Sequence, residues 1–289
     1  MFRAKNASAS GARLNDKREL VTLAILVPLA LLFLFPIVLV LLNSFKGSIF
    51  ISNQPFRLPN AESFVGLKNY FVGLKQSGFH GAVLRSFYIT VSSVILLAVA
   101  TSMCAWFLCR TKGRLSRILL RIMTFGMIVP FQMVMYTTTF VAGKLSLSNL
   151  LGMPLIYLAF GTSLSVFILS GFIEGVPVAV EEAAKIDGCS TTRTFFSVSL
   201  PLLSPAIITV SVLNAMWIWN DYLLPYLILG SDRRTIPVAI QLSMTGAYGQ
   251  TNLGGLMAML IFSMIPIVIF YLFGQKYIIS GVSQGAVKG

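Results

Sequence analysis

The chain has 289 residues, 56% of them hydrophobic and only 11% charged, with a mean hydropathy of +0.84, which leaves too little charge to coat a water-soluble globule. The 22 Lys and Arg against 9 Asp and Glu would suggest nucleic acid in a soluble protein, but in so apolar a chain cationic loops serve to orient membrane helices. Cys104, Cys109 and Cys189 lack the spacing of a disulfide framework or a metal cluster.

A bilayer crossing needs roughly 20 apolar residues, and six such runs are predicted, over 20–42, 86–108, 122–142, 155–173, 202–229 and 253–273. The first follows a basic stretch with Arg3, Lys5, Arg13, Lys17 and Arg18. It is too long for a signal-peptide core, and no small-x-small cleavage site follows it at Asn43-Ser44-Phe45-Lys46, so a retained anchor is expected. The reading divides the chain into an N-terminal segment 1–19, a six-helix membrane domain 20–273 and a tail 274–289. Counted over alternate loops, 14 of the Lys and Arg fall on the side of the termini and 8 on the other. The positive-inside rule then places both termini in the cytoplasm.

Several crossings carry polar residues on one side. At 100° per residue, Gln132, Tyr136, Thr139 and Gly143 fall within about 60° in the third, and Ser163, Ser170 and Glu174 within about 40° in the fourth. Glu174, near the inner end, is expected to brace the loop that follows. In the fifth, Ser204, Ser211 and Tyr222 share a face, with Asn214 and Asp221 some 80–100° round. Such faces either line a solute path or bond neighbouring helices. An intramembrane carboxylate is costly and usually paired or in a cavity. Asp221, with Trp217, Trp219 and Tyr222 close by, is therefore a candidate for part of a sugar site, although an interfacial aromatic belt accounts for the same rings.

The segment 176–201, between the fourth and fifth crossings, has its own pattern. Pro177, early acids and Gly188 read as the start and stop of a short helix, and Ser190-Thr191 as the cap of a second helix carrying Phe195, Val198 and Leu200 as an apolar stripe. A helix-turn-helix with Ala183, Ala184 and Gly188 exposing little side chain suits close approach by another protein; a hairpin lying on the membrane surface is the alternative.

Glu182-Ala183-Ala184-x-x-Asp187-Gly188, followed by Phe196, Leu200-Pro201 and Pro205, resembles the EAA loop of binding-protein-dependent ABC importer permeases. Cys189 stands where a small alanine is usual. The six-crossing plan, Trp219-Asn220-Asp221-Tyr222 and the ending Gly285-Ala286-Val287-Lys288-Gly289 are similar to carbohydrate-uptake permeases of the maltose-transporter type. The resemblance implies an all-α type I importer domain in a bacterial cytoplasmic membrane, with 176–201 as its coupling loop. Glu182, Ala183, Ala184, Asp187, Gly188, Phe196, Leu200 and Pro201 are the implied ATPase-coupling residues. Gln132, Tyr136, Asn214, Trp217, Asn220 and Asp221 are the candidates for the path. The implied partners are a homologous permease, two ATPase subunits that bind ATP and Mg, an extracytoplasmic solute-binding protein and membrane lipid, with no nucleic acid and no cofactor in this chain. The tail is implied to reach toward the ATPase pair.

No catalytic constellation or Gly-rich phosphate loop is present, and the one histidine is His80. Energy must come from a partner or from a gradient. A gradient-driven carrier would need ionisable groups near the midplane, where this chain has few.

Overall fold

A computed structural model describes residues 16–76, 78–244 and 252–286, with side chains described except at 16–19, 76 and 276–286. The N-terminal basic residues Arg3, Lys5 and Arg13, and the last three residues of the tail, lie outside the described residues. The described chain is helical throughout, in chain order α1 (Asp16–Ser44), α2 (Ser48–Asn53), α3 (Lys68–Gln76), α4 (Phe79–Arg110), α5 (Arg114–Phe125), α6 (Phe131–Lys144), α7 (Met153–Gly175), α8 (Val178–Ile186), α9 (Thr191–Thr194), α10 (Leu200–Leu202), α11 (Ser204–Asn220), α12 (Leu223–Leu229), α13 (Ile236–Met244) and α14 (Leu253–Ala286). A 3₁₀ turn, Gly126–Ile128, follows α5, and a π-helical turn, Phe195–Ser199, joins α9 to α10.

Four helices are long and apolar enough to cross a bilayer singly: α1, α4, α7 and α14. Two of the predicted crossings are broken. The run 122–142 is not one rod: Arg114–Ile128 and Phe131–Lys144 meet at 109°. The cause is local, because Pro130 has no N–H to donate and holds Val129 extended (φ −77°, ψ 111°). The run 202–229 breaks twice. Thr191–Leu202 and Ser204–Asn220 meet at 75°, and Asp221, extended at φ −74° and ψ 122°, ends α11 before α12 begins. The last crossing does the opposite and runs unbroken through Pro266 to Ala286, so it takes in most of the expected tail.

The packed centre is α4 against α7, with α11 laid on both. Its loop-side end is an apolar cluster of Trp106, Val166, Leu169, Ile173, Phe195, Leu203 and Val210. At mid-helix the close approach is made by Gly161, where a side chain would strike Leu97 and Asn214. On the far side α14 packs on α11, α3 and α1. Residues 20–38 of α1 are all exposed, as expected of a helix that faces lipid.

The segment after α1 forms a small cap. Lys46 is fully buried, and its Nζ donates to the carbonyls of Gln54 (3.0 Å) and Pro55 (3.4 Å). Burial lowers its pKa. Asn69 Nδ2 donates to the carbonyls of Ser44 (2.8 Å) and Lys46 (2.7 Å), and a Cβ on Gly254 would collide with the Asn69 side chain. Ser48 Oγ bonds Asn252 Oδ1 at 3.1 Å, so the cap fastens the end of α1 to the start of α14.

Candidate functional site

The segment 176–201 folds as two helices about a glycine turn. Pro177 caps α8 with an extended backbone (φ −60°, ψ 126°). At the other end Cys189 N–H donates to Ala184 O (2.9 Å) and Gly188 N–H to Lys185 O (3.0 Å), the paired bonds of a Schellman turn. That turn needs a left-handed residue, and Gly188 supplies it at φ +84°. Ser190 then caps α9, its Oγ accepting from Arg193 N–H (3.3 Å).

The motif residues lie mostly on the outside of this hairpin. Glu182, Ala183, Asp187, Gly188, Phe196 and Pro201 are exposed, and Ala184, Cys189 and Leu200 are half-buried. Ile186, at the tip, is 87% exposed and is the most exposed large apolar side chain among the described residues. Phe195 turns inward onto Trp106, ring centroids 5.3 Å apart, while Phe196 faces out.

One neighbour of the motif behaves differently and was not among the expected residues. Glu181 is 3% exposed and is the only buried residue of α8. Its Oε1 accepts from Trp106 Nε1 (3.0 Å), Arg110 Nη2 (3.1 Å) and Ser199 Oγ (3.0 Å), and its Oε2 from Arg110 Nε (2.9 Å). Arg110 Nη2 also donates to the carbonyl of Val176 (2.9 Å). Burial by itself would raise the Glu181 pKa; the hydrogen bonds from Arg110, Trp106 and Ser199, with the guanidinium charge, more than offset it and leave the pKa lowered. The available signal was the i, i+4 pair Trp106 and Arg110, which puts two donors on one face of α4. Glu174, expected to brace the loop, is exposed at the end of α7.

The path candidates separate into three kinds. Asn214 is buried, and its Nδ2 donates to Ser165 Oγ (3.0 Å) and Val210 O (2.9 Å), so it joins α11 to α7 and lines no opening. Asp221 is committed to the protein: Oδ1 accepts from Leu223 N–H (3.0 Å) and Leu224 N–H (3.4 Å), capping α12, and Oδ2 accepts from Tyr157 Oη (3.0 Å). The carboxylate is therefore explained without a sugar, and Trp217 stands edge-on to Tyr157 at 5.4 Å. Gln132, Tyr136, Trp217 and Asn220 are exposed on this single chain, Tyr136 at 75%. Exposed polar groups on α6 and α11 can line a path only if a second surface closes over them.

Residues 97–284 match the family of binding-protein-dependent transport system inner membrane components. The chain belongs to that family. The match takes in the whole helix-turn-helix, and the chain is thus a multi-pass membrane permease component, which sets aside the gradient-driven carrier. Over 263 residues this permease is 38% identical to a probable starch degradation products transport system permease protein of Thermoanaerobacterium thermosulfurigenes, covering 91% of this chain and 94% of the relative. It is 35% identical over 263 residues to a multiple sugar-binding transport system permease protein of Streptococcus mutans, covering 89% and 93%. A bacterial ABC transporter involved in import of the acidic polysaccharide alginate has the same fold, with a TM-score of 0.76 at 21% identity over 96% of this chain and 99% of that one. The permease is an all-α type I ABC importer domain, and counting each bent pair as one span brings its candidate crossings among the described residues from four to six.

Proposed function

We propose that this permease forms half of the translocation path of an ATP-driven importer of a sugar or oligosaccharide, and that the segment 176–201 docks on the ATPase. The observation that carries the docking is the exposure pattern: Glu182, Ala183, Asp187 and Gly188 face outward together with an uncovered Ile186. With Val178 and Val180 also exposed, Ile186 adds to an apolar surface on α8 that is suited to cover by another protein. In this reading the hairpin and both termini are cytoplasmic, in accord with the distribution of Lys and Arg. Small residues at 183, 184 and 188 let the ATPase surface approach the α8 backbone. Two copies of the ATPase bind ATP and Mg; this chain binds neither.

The other half of the path would be a homologous permease. The outward-facing Gln132 and Tyr136 on α6 and Trp217 and Asn220 on α11 support it, since they acquire an enclosed face only against a second subunit. The sugar class rests on the relatives: a diacetylchitobiose uptake permease protein of Streptomyces coelicolor, 28% identical over 283 residues, joins the two above. A related structure was determined with an alginate pentasaccharide-bound periplasmic protein. The solute would arrive on such a protein and pass inward as ATP binding moves the docked hairpin.

The test is reconstitution in liposomes with the cognate ATPase, partner permease and binding protein. ATP hydrolysis should rise when the binding protein carries its saccharide, with uptake of the same saccharide. Uptake driven by a proton or sodium gradient without ATP would overturn the reading.

A further inference from the structure

A helix that receives force from a partner must be tied to the rest of the molecule, and α8 is tied in an unusual way. Surface helices are ordinarily held by an apolar stripe. In α8, Val178, Val180 and Ile186 are exposed, Ala184 is half-buried, and the only buried side chain is the carboxylate of Glu181. An apolar contact can slide; a carboxylate gripped at both oxygens by a guanidinium fork is fixed in direction as well as position. Through Glu181 and Arg110 four segments meet at one point: the inner end of α4 (Trp106 and Arg110), the residue that ends α7 (Val176), α8 itself, and the π turn ahead of α11 (Ser199). The cluster behind it, Trp106 with Phe195, Leu169 and Ile173, is packed and cannot absorb a displacement locally.

We propose that the Arg110–Glu181 pair is the joint that passes displacement of the docked hairpin to α4 and α11, which makes Glu181 a positioning residue for transport, distinct from the outward Glu182. The inference rests on the reading of 176–201 as the ATPase-docking segment. Docking and transmission are then separable: the outward face binds, and the buried pair transmits. Loss of the pair should leave an ATPase that is bound and turns over without moving solute.

The experiment uses the assembled complex with Glu181→Ala, Arg110→Ala, the double variant, and Arg110→Lys, which keeps the charge and loses the fork. Membrane abundance and co-purifying ATPase should match the parent, uptake should fall about tenfold or more, and ATP hydrolysis should persist without stimulation by loaded binding protein. The double variant should be no worse than either single one, because the two residues act as a unit. Parent-like uptake in Glu181→Ala and Arg110→Ala would overturn the joint, as would parallel loss of uptake and of bound ATPase. Ile186→Lys, run alongside, tests the docking face. If it too leaves the bound ATPase unchanged, the reading of the hairpin fails; if it releases the ATPase while the pair variants transport normally, only the joint fails.

Discussion

Glu181 and Glu182 are adjacent on α8, and the step of about 100° between them gives them opposite situations. Glu182 faces out, while Glu181 accepts four hydrogen bonds in near-complete burial. Because the folded pKa of Glu181 is lowered, its contribution to stability is fully present above the ordinary carboxylate pKa of about 4.3. It is lost only as pH falls through the lower folded value. Thermal stability of the purified permease should therefore show no pH dependence from this group near neutrality, where its contribution is complete, and should fall on the acid side in the parent more than in Glu181→Gln. Asp221 carries a second prediction at this scale. Removing it uncaps α12 and leaves the Tyr157 hydroxyl without its acceptor, so Asp221→Ala should cost about 2 kcal/mol. That cost should appear as a lowered melting temperature with the order of preferred saccharides unchanged. The sequence marked Asp221 as an expensive residue but not its use, since its partner Tyr157 lies 64 positions earlier. Glu181 was hidden for the same reason: Trp106 is 75 positions away.

At the scale of elements, what depended on apolar length and on local turn chemistry could be read. The crossings at α1, α4 and α7 contain the expected runs, α4 starting about two turns earlier at Phe79, and the loop 176–201 follows its own signals, with Pro177 at the cap and Gly188 at the left-handed turn. The bends could not be read from apolarity, because the end of α5, the 3₁₀ turn and most of α6 form one uncharged run over 122–142. Pro130 and the extended Val129 break it. At 14 residues α6 spans only about 21 Å, short of the roughly 30 Å of hydrocarbon. The glycine turn makes the next prediction. Gly188→Ala places a Cβ in the left-handed region at a cost of about 1 kcal/mol and should reduce uptake only partly. Gly188→Asp, which adds charge at the exposed tip, should abolish uptake while the protein still reaches the membrane, as a membrane-fraction blot would show.

The whole molecule presents far more apolar and polar surface than one chain can use. Along α6, Met133, Tyr136 and Phe140 are all exposed, and α1 is bare over 20–38. Lipid accounts for apolar surface of this kind but not for Gln132. Tyr136→Cys should therefore cross-link to the homologous permease in native membranes; a failure to cross-link across the whole outward face of α6 would remove that subunit from this side. Orientation has an equally direct check. With Cys104 and Cys109 replaced by serine, Cys189 should react with a membrane-impermeant maleimide in inside-out vesicles and not in intact cells. Fold class could be seen in the sequence because a bilayer imposes length and polarity rules on every crossing. The path was less visible because, in the function proposed above, it is shared with a second permease whose walls lie outside this sequence.

The cap that holds Lys46 also bears on how the protein is made. Most of its bonds are local, but two of its contacts join residues far apart in the order of synthesis: Ser48 to Asn252, and Asn69 against Gly254. A ribosome delivers the first crossing long before the last, so the end of α1 can be tied early to Gln54, Pro55 and Asn69 but stays unfastened to α14 while some two hundred further residues are added. The cap closes only when α14 arrives. Fastening of the cap to α14 is thus a late event in biogenesis, set by the order of the chain.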